Sequence, residues 1–164
     1  MEKKLDISVI SPVFNELENL ESFVESVTAV MNSTNMSWEL IIVDDGSNDG
    51  SSKILKKIGH QENIRSILLS KNYGQTTAIQ AGFDNAVGKY FVTLDSDLQN
   101  DPKDIPMLIK KLINEELDLV VGWRKDRKDN YFFRNLPSIL ANKLIGTITG
   151  CLLYTSPSPR DIVG

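Results

Sequence analysis

Leu40-Ile41-Ile42-Val43-Asp44-Asp45-Gly46-Ser47 sets four consecutive apolar residues directly against two carboxylates and a glycine. A strand with one wet face alternates apolar and polar residues. A short continuous apolar run reads instead as a strand covered on both faces of a sheet. Working outward, similar runs recur at Ile7–Ile10, Ile67–Leu69, Tyr90–Leu94 and Leu117–Val121, the last interrupted by Asp118. Helix-period segments separate them. Leu17, Leu20, Phe23, Val24, Val27 and Met31 form an apolar stripe at helical spacing, with Asn15 and Glu18 as its start signal. Ile54, Leu55 and Ile58 mark a second helix, and a small, Ala-containing segment from Thr76 to Val87 a third. Asp101-Pro102 opens a fourth, with the stripe Ile105, Leu108, Ile109, Leu112 and Ile113. This β-α-β-α alternation predicts an α/β fold with a mostly parallel sheet flanked by helices.

Composition narrows the classes. The 164 residues are 41% hydrophobic and 24% charged, which is ordinary for one globular domain. Asp plus Glu exceeds Lys plus Arg by 22 to 18, for a net charge of −4. That balance argues against a dedicated nucleic-acid binder, whose footprint is basic. No apolar stretch approaches the roughly 20 residues of a membrane span, and the start of the chain lacks the apolar core of a signal peptide. A single cysteine, Cys151, excludes an internal disulfide and a cysteine-built zinc site. The expectation is a cytoplasmic enzyme domain. From Cys151 the text becomes CLLYTSPSPRDIVG, aperiodic and with two prolines. Residues 1–150 are therefore expected to be the catalytic domain, and 151–164 a tail that is disordered or foreign to it.

In open parallel sheets, ligands bind beyond the carboxyl ends of the strands. The runs exit into Ser11 to Glu16, Asp44 to Ser47, Ser70 to Asn72, Asp95 to Gln99 and Gly122 to Arg124. Any one polar exit is an ordinary loop, but five on one edge mark a site. Asp95 and Asp97 are the sharpest feature. If strand geometry persists, they and Gln99 point to one side, and two close carboxylates repel unless a cation lies between them. Oxygen ligands on a short loop suit Mg²⁺ or Mn²⁺ and a phosphate-bearing ligand; the bland reading is a polar turn. The 44–50 loop reads equally as a strand-to-helix turn capped by Ser47 or Asn48. Both loops fail as calcium EF-hands, since the twelfth positions are Pro106 and Lys56. Glycine-rich dinucleotide and P-loop signatures are absent from the sequence. Arg124, Lys125, Arg127, Lys128 and Arg134 against Asp126 and Asp129 give a local net of +3. This is either a solvated loop or an anion site, with Tyr131, Phe132 and Phe133 available to a membrane surface. His60 reads as a surface residue at a helix end, and with no histidine partner for Ser or Cys a hydrolase triad is not expected.

Taken together, Pro12-Val13-Phe14-Asn15-Glu16, Val43-Asp44-Asp45-Gly46-Ser47, Asn72-Tyr73-Gly74-Gln75 and Leu94-Asp95-Ser96-Asp97-Leu98-Gln99 resemble the family 2 glycosyltransferases, which have the GT-A fold, a Rossmann-like nucleotide-sugar-binding architecture. Gly122-Trp123-Arg124-Lys125 and Pro137-Ser138-x-x-Ala141-Asn142 are similar to the branch that transfers sugars to polyprenyl phosphates, including dolichyl phosphate. The resemblance covers about residues 5 to 150; family members usually continue well beyond that point. It implies that Pro12, Phe14, Glu16 and Asp45 line the nucleotide pocket, with Asp45 on the base and Asp44 supporting its loop. Asp95, Asp97 and Gln99 would surround a Mg²⁺ or Mn²⁺ ion bridging the diphosphate, Asp95 also facing the nucleotide-sugar. Asp97 and Arg124 would be catalytic. Arg124, Lys125, Arg127, Lys128 and Arg134 would face the acceptor phosphate. The family often has tyrosine where Phe14 stands; phenylalanine keeps the stacking face and lacks the hydroxyl. The implied partners are a UDP- or GDP-sugar, a polyprenyl phosphate and the cytoplasmic face of a membrane, with no nucleic acid. The competing readings are a family 2 enzyme with a saccharide acceptor and a nucleotide-sugar-binding module without turnover.

Overall fold

The structure, a computed structural model, describes residues 5–122. Four strands, β1 (Leu5–Val13), β2 (Trp38–Asp44), β3 (Ile64–Leu68) and β4 (Gly88–Thr93), form one parallel sheet in the order β3-β2-β1-β4. Helices α1 (Leu20–Asn32), α2 (Ser51–Ile58) and α3 (Gln75–Asn85) make the crossovers. A 3-10 turn, Pro102–Asp104, and α4 (Ile105–Asn114) follow β4. Asp101 caps that turn by accepting the Lys103 N–H at 3.0 Å, and Pro102 occupies its first position, where no N–H is needed.

Every residue of β2 is buried, the environment its continuous apolar run requires. Ile7, Val9 and Val13 of β1 join α1, Leu55 of α2 and Ile105 and Ile109 of α4 in the main core. Ile41, Val43 and Ala78 pack on the opposite face, against α3. The topology explains this division. From β1 to β2 to β3 the chain moves one way across the sheet; from β3 to β4 it returns past β1. Right-handed crossovers travelling in opposite directions place their helices on opposite faces. Helix α3 then lies so close to the sheet that a Cβ at Gly82 would stand 2.3 Å from Ile10 Cγ2.

Two expectations fail here. Residues 117–121 form no strand: they pair with no described strand, and Leu119 and Val121 are 75% and 76% exposed. An apolar run becomes a strand only where a neighbour takes its backbone groups. Strands β3 and β4 are also less buried than their composition suggests, because each is flanked on only one side among the described residues; β4 alternates half-buried and exposed positions.

Candidate functional site

Neighbouring strands end at different heights. The β1–β4 ladder stops at Ile10 and Thr93, whereas β1–β2 continues to Val13 and Asp44. Beyond Ile10, therefore, β1 has an open flank on the β4 side. Pro12 stands on that flank, where its missing N–H breaks no ladder bond, and its carbonyl accepts the Ser96 hydroxyl at 3.3 Å. The sheet order reverses direction between β1 and β4, the place where parallel sheets open a ligand crevice. A cleft of about 380 Å³ lies there. Pro12, Phe14 and Glu16 come to it from β1, Asp45 from β2, Asn72, Gly74 and Gln75 from the β3–α3 loop, and Asp95, Ser96 and Asp97 from β4.

At the β2 end the carboxylates are spoken for. Asp44 and Asp45 are 1% and 3% exposed. Asp44 accepts the Ser47 N–H at 3.0 Å through Oδ1 and the Ser52 hydroxyl through Oδ2. Asp45 reaches across to the β3–α3 loop, accepting the Tyr73 N–H at 2.7 Å through Oδ1 and the Gly74 N–H at 2.8 Å through Oδ2. Gly46 lets that loop approach: its φ is +74°, and a Cβ there would stand 2.3 Å from the Lys71 carbonyl carbon. The β1 exit is fastened to the same region. Asn15 donates its N–H to Ser47 Oγ and accepts the Asn48 N–H, both at 2.9 Å. Asp49 accepts the Ser51 N–H and hydroxyl and the Leu17 N–H. Burial pushes the Asp49 pKa up, but these donors outweigh it and hold the carboxyl below its ordinary value.

The β4 end differs. Asp95 and Asp97 are half-buried. Asp95 Oδ1 accepts from Gln75 Nε2 at 2.9 Å, and Asp97 Oδ1 accepts the Gln99 N–H at 3.0 Å. Each keeps a second oxygen with no donor among the described residues. No group of three or more His, Cys, Asp or Glu side chains able to hold a metal occurs among the described residues. Two carboxylates facing a cleft are nonetheless an ordinary protein share of a Mg²⁺ or Mn²⁺ site, where water and substrate phosphates complete the shell. The donor set fits that group, and Asp95 and Asp97 are the side chains that would hold it.

Of the residues singled out in the sequence, Pro12, Phe14, Glu16, Asp45, Asp95 and Asp97 therefore meet in one cleft. Asp44 lies buried behind it. Gln99 does not line it: β4 ends at Thr93, and Leu98 at φ +58° turns the chain, so strand alternation does not extend to residue 99. Asn15 does not start α1 but adopts φ +56° in the site loop, and the helix begins at Leu20. Neither Ser47 nor Asn48 caps α2; Gly50 precedes it, with Asp49 accepting from Ser51. Arg124, Lys125, Arg127, Lys128 and Arg134, and the 151–164 segment, lie outside the described residues. Gln75 and Ser96 received no role from the sequence, although the Asn72-Tyr73-Gly74-Gln75 motif pointed at the first and the Asp95–Asp97 spacing bracketed the second.

Comparison with known proteins agrees with this geometry. A mannosyltransferase from Pyrobaculum calidifontis, solved in complex with GDP-Man and Mn²⁺, superposes with a TM-score of 0.56 at 19% identity, over 68% of this chain and 33% of that one. S. aureus TarS 1-349 in complex with UDP-GlcNAc gives 0.52 at 19% identity, over 76% and 39%. These likenesses show the GT-A fold. The dodecaprenyl-phosphate galacturonate synthase of Rhizobium johnstonii is 49% identical over 93% of this chain and 46% of its own length. An undecaprenyl-phosphate 4-deoxy-4-formamido-L-arabinose transferase of Salmonella paratyphi A is 42% identical over 88% and 44%. The chain thus spans somewhat less than half the length of the curated relatives it matches. The family described as "Glycosyl transferase family 2" matches residues 8–157, and with nearly the whole chain inside that match, the chain belongs to glycosyl transferase family 2.

Proposed function

We propose that this chain forms the nucleotide-sugar-binding part of an inverting glycosyltransferase that moves a sugar onto a polyprenyl phosphate at the cytoplasmic face of a membrane. The observation that carries the reading is the cleft at the β1–β4 reversal, with Asp95 and Asp97 each offering a carboxylate oxygen that has no donor among the described residues. The two curated relatives described above are named for transfer or synthesis on a polyprenyl phosphate, which supports that acceptor class. Phe14, 45% exposed in the cleft, offers a stacking face to a nucleobase, with Pro12 and Glu16 beside it. Asp45 shapes the wall through the loop it holds. Asp95 and Asp97 would hold Mg²⁺ or Mn²⁺. When bound, the ion supplies Lewis-acid stabilisation of the departing nucleoside diphosphate.

The acceptor chemistry suits a site without a general base. A phosphate monoester is largely dianionic at neutral pH, with its second pKa near 6. Its oxygen attacks the anomeric carbon without losing a proton. The bond from that carbon to the donor phosphate breaks, its electron pair leaves with the nucleoside diphosphate, and attack from the opposite face inverts the centre. Such an acceptor needs orientation and charge screening, which Arg124, Lys125, Arg127, Lys128 and Arg134 supply as cations.

The experiment titrates UDP- and GDP-sugars with and without Mn²⁺, then assays transfer to a short polyprenyl phosphate using the chain and a longer polypeptide containing it. Mn²⁺-dependent nucleotide-sugar binding and an inverted polyprenyl-phosphate product are expected. Binding without transfer by either protein would leave a nucleotide-sugar-binding module, and transfer to saccharides alone would replace the acceptor class. Replacing Lys125, Arg127 and Lys128 by Gln should weaken binding to anionic vesicles in a salt-sensitive way, since exposed charges are screened over about 8 Å at physiological ionic strength. Salt-insensitive vesicle binding that survives the triple substitution would remove the basic segment from the mechanism.

A further inference from the structure

The β3–α3 loop is tied to both walls of the cleft by consecutive residues. Tyr73 and Gly74 donate their N–H groups to Asp45 at the end of β2, and Gln75 donates through Nε2 to Asp95 at the end of β4. Gln75 is the first residue of α3, exposed at the cleft wall. Its contact with Asp95 spans 20 residues of sequence and is the one hydrogen bond that carboxylate makes among the described residues.

We infer that Gln75 is a positioning residue for the donor site: its carboxamide fixes Asp95 by occupying Oδ1, so that Oδ2 is the oxygen presented to a divalent cation. The inference rests on the donor-site reading of the cleft. Terminal carboxylate torsions are broad, and two carboxylates two residues apart repel. Without a tether, Asp95 would swing away from Asp97 and toward water. The tether is chemically suited to that task. A glutamine amide donates a hydrogen bond without bringing charge, so it restrains the carboxylate while leaving its full attraction for a cation. Lysine or arginine at this place would also donate, but would oppose the ion electrostatically. The carboxylate accepts only, which identifies the amide nitrogen as the atom facing it. Gln75 opens an eleven-residue helix, so its main chain is placed by the same α3 packing that brings Gly82 against Ile10.

The test measures Mn²⁺ affinity by electron paramagnetic resonance with saturating UDP or GDP. Nucleotide affinity in EDTA and the melting temperature are measured alongside. Because Gln75 is exposed, Gln75→Leu is expected to fold as the parent does. It should lose about tenfold in Mn²⁺ affinity, the loss of one hydrogen bond to a charged group, with EDTA nucleotide affinity and melting temperature unchanged. Gln75→Lys, which keeps a donor but adds charge, should lose at least as much. Unchanged Mn²⁺ affinity in Gln75→Leu overturns the inference. So does an equal fall in metal-free nucleotide affinity, which would make Gln75 merely a structural residue of the loop. Asp97→Asn separates the two readings. If it abolishes Mn²⁺ binding while Gln75→Leu does not, the donor site stands and only the positioning role falls. If the unsubstituted chain binds no Mn²⁺ with either nucleotide, the donor-site reading falls and the inference falls with it.

Discussion

Two pairs of aspartates stand at the carboxyl ends of parallel strands in this sheet, and they have opposite fates. Asp44 and Asp45, beyond β2, are buried, and all four of their oxygens accept hydrogen bonds from the protein. Asp95 and Asp97, beyond β4, are half-buried, and among the described residues each has one oxygen engaged. Residue type and topological position are shared; saturation with donors is not. A buried carboxylate with both oxygens engaged is a structural clamp, because releasing it to a ligand would leave the N–H groups of the loop it holds without their acceptor. A carboxylate held by one donor at the rim of a cleft is oriented and still open to a cation. The β2 pair builds the wall, and the β4 pair faces what the wall encloses.

The largest expected effect falls on the β4 pair. Asp97→Asn preserves shape and removes one of two repelling charges, so the melting temperature should hold or rise. Mn²⁺-dependent nucleotide-sugar affinity should drop by roughly a hundredfold or more, since a direct ligand is weakened and one charge is removed. Unchanged Mn²⁺-dependent affinity in the folded variant would erase the distinction between the two pairs.

The β2 pair should respond in the opposite sense, through stability. Asp45→Ala leaves the Tyr73 and Gly74 N–H groups without their acceptor and should cost about 2–3 kcal/mol, read by chemical denaturation. Nucleotide affinity should fall with or without Mn²⁺, because the loop bearing Asn72 and Gln75 loosens. Gly46→Ala tests the same wall from the backbone side. Its Cβ would collide with Lys71 main chain at a positive φ, and a loss of about 2 kcal/mol is expected. A variant at position 45 that melts like the parent and loses only base discrimination would show that Asp45 faces the ligand after all, and the comparison would break.

Sequence could not have separated these pairs. The parallel sheet and its first four strands were legible because β1 and β2 must be buried on both faces and their composition says so. The cleft's position was legible because the polar exits of parallel strands share one edge. Donor saturation was not, since it depends on loops meeting from distant sequence: Asp45 meets Tyr73 and Gly74, Asn15 meets Ser47 and Asn48, and Asp95 meets Gln75. The failure at residues 117–121 has a similar cause. Apolar composition specifies burial, but a strand also needs a neighbour, and none of the described strands serves. The alternation that put Gln99 beside Asp95 and Asp97 does not extend past Thr93, where the strand ends.

The smallest expected effect lies at Asp49, the exposed carboxylate of the β2 loop, and it gives that side of the comparison a pH dependence. Desolvation raises its pKa, but the Ser51 and Leu17 donors lower it by more, so the folded chain favours the charged form. A group with a depressed folded pKa contributes stability that is present above its unfolded value, near 3.9, and is lost as pH falls through the folded value. Asp49→Asn has one acceptor oxygen where the aspartate uses two, Oδ1 for Ser51 and Oδ2 for Leu17, so it should melt slightly lower than the parent at pH 7. The gap should be small, because the side chain is exposed and its charge is screened. It should stay constant down to about pH 5 and close below pH 4, where the parent's own carboxyl takes up its proton. Melting both proteins at pH 7, 5, 4 and 3 follows that closure directly. A gap that persisted unchanged to pH 3 would mean that hydrogen-bond count alone, and not the carboxylate charge, fastens the β1 exit to the β2 loop.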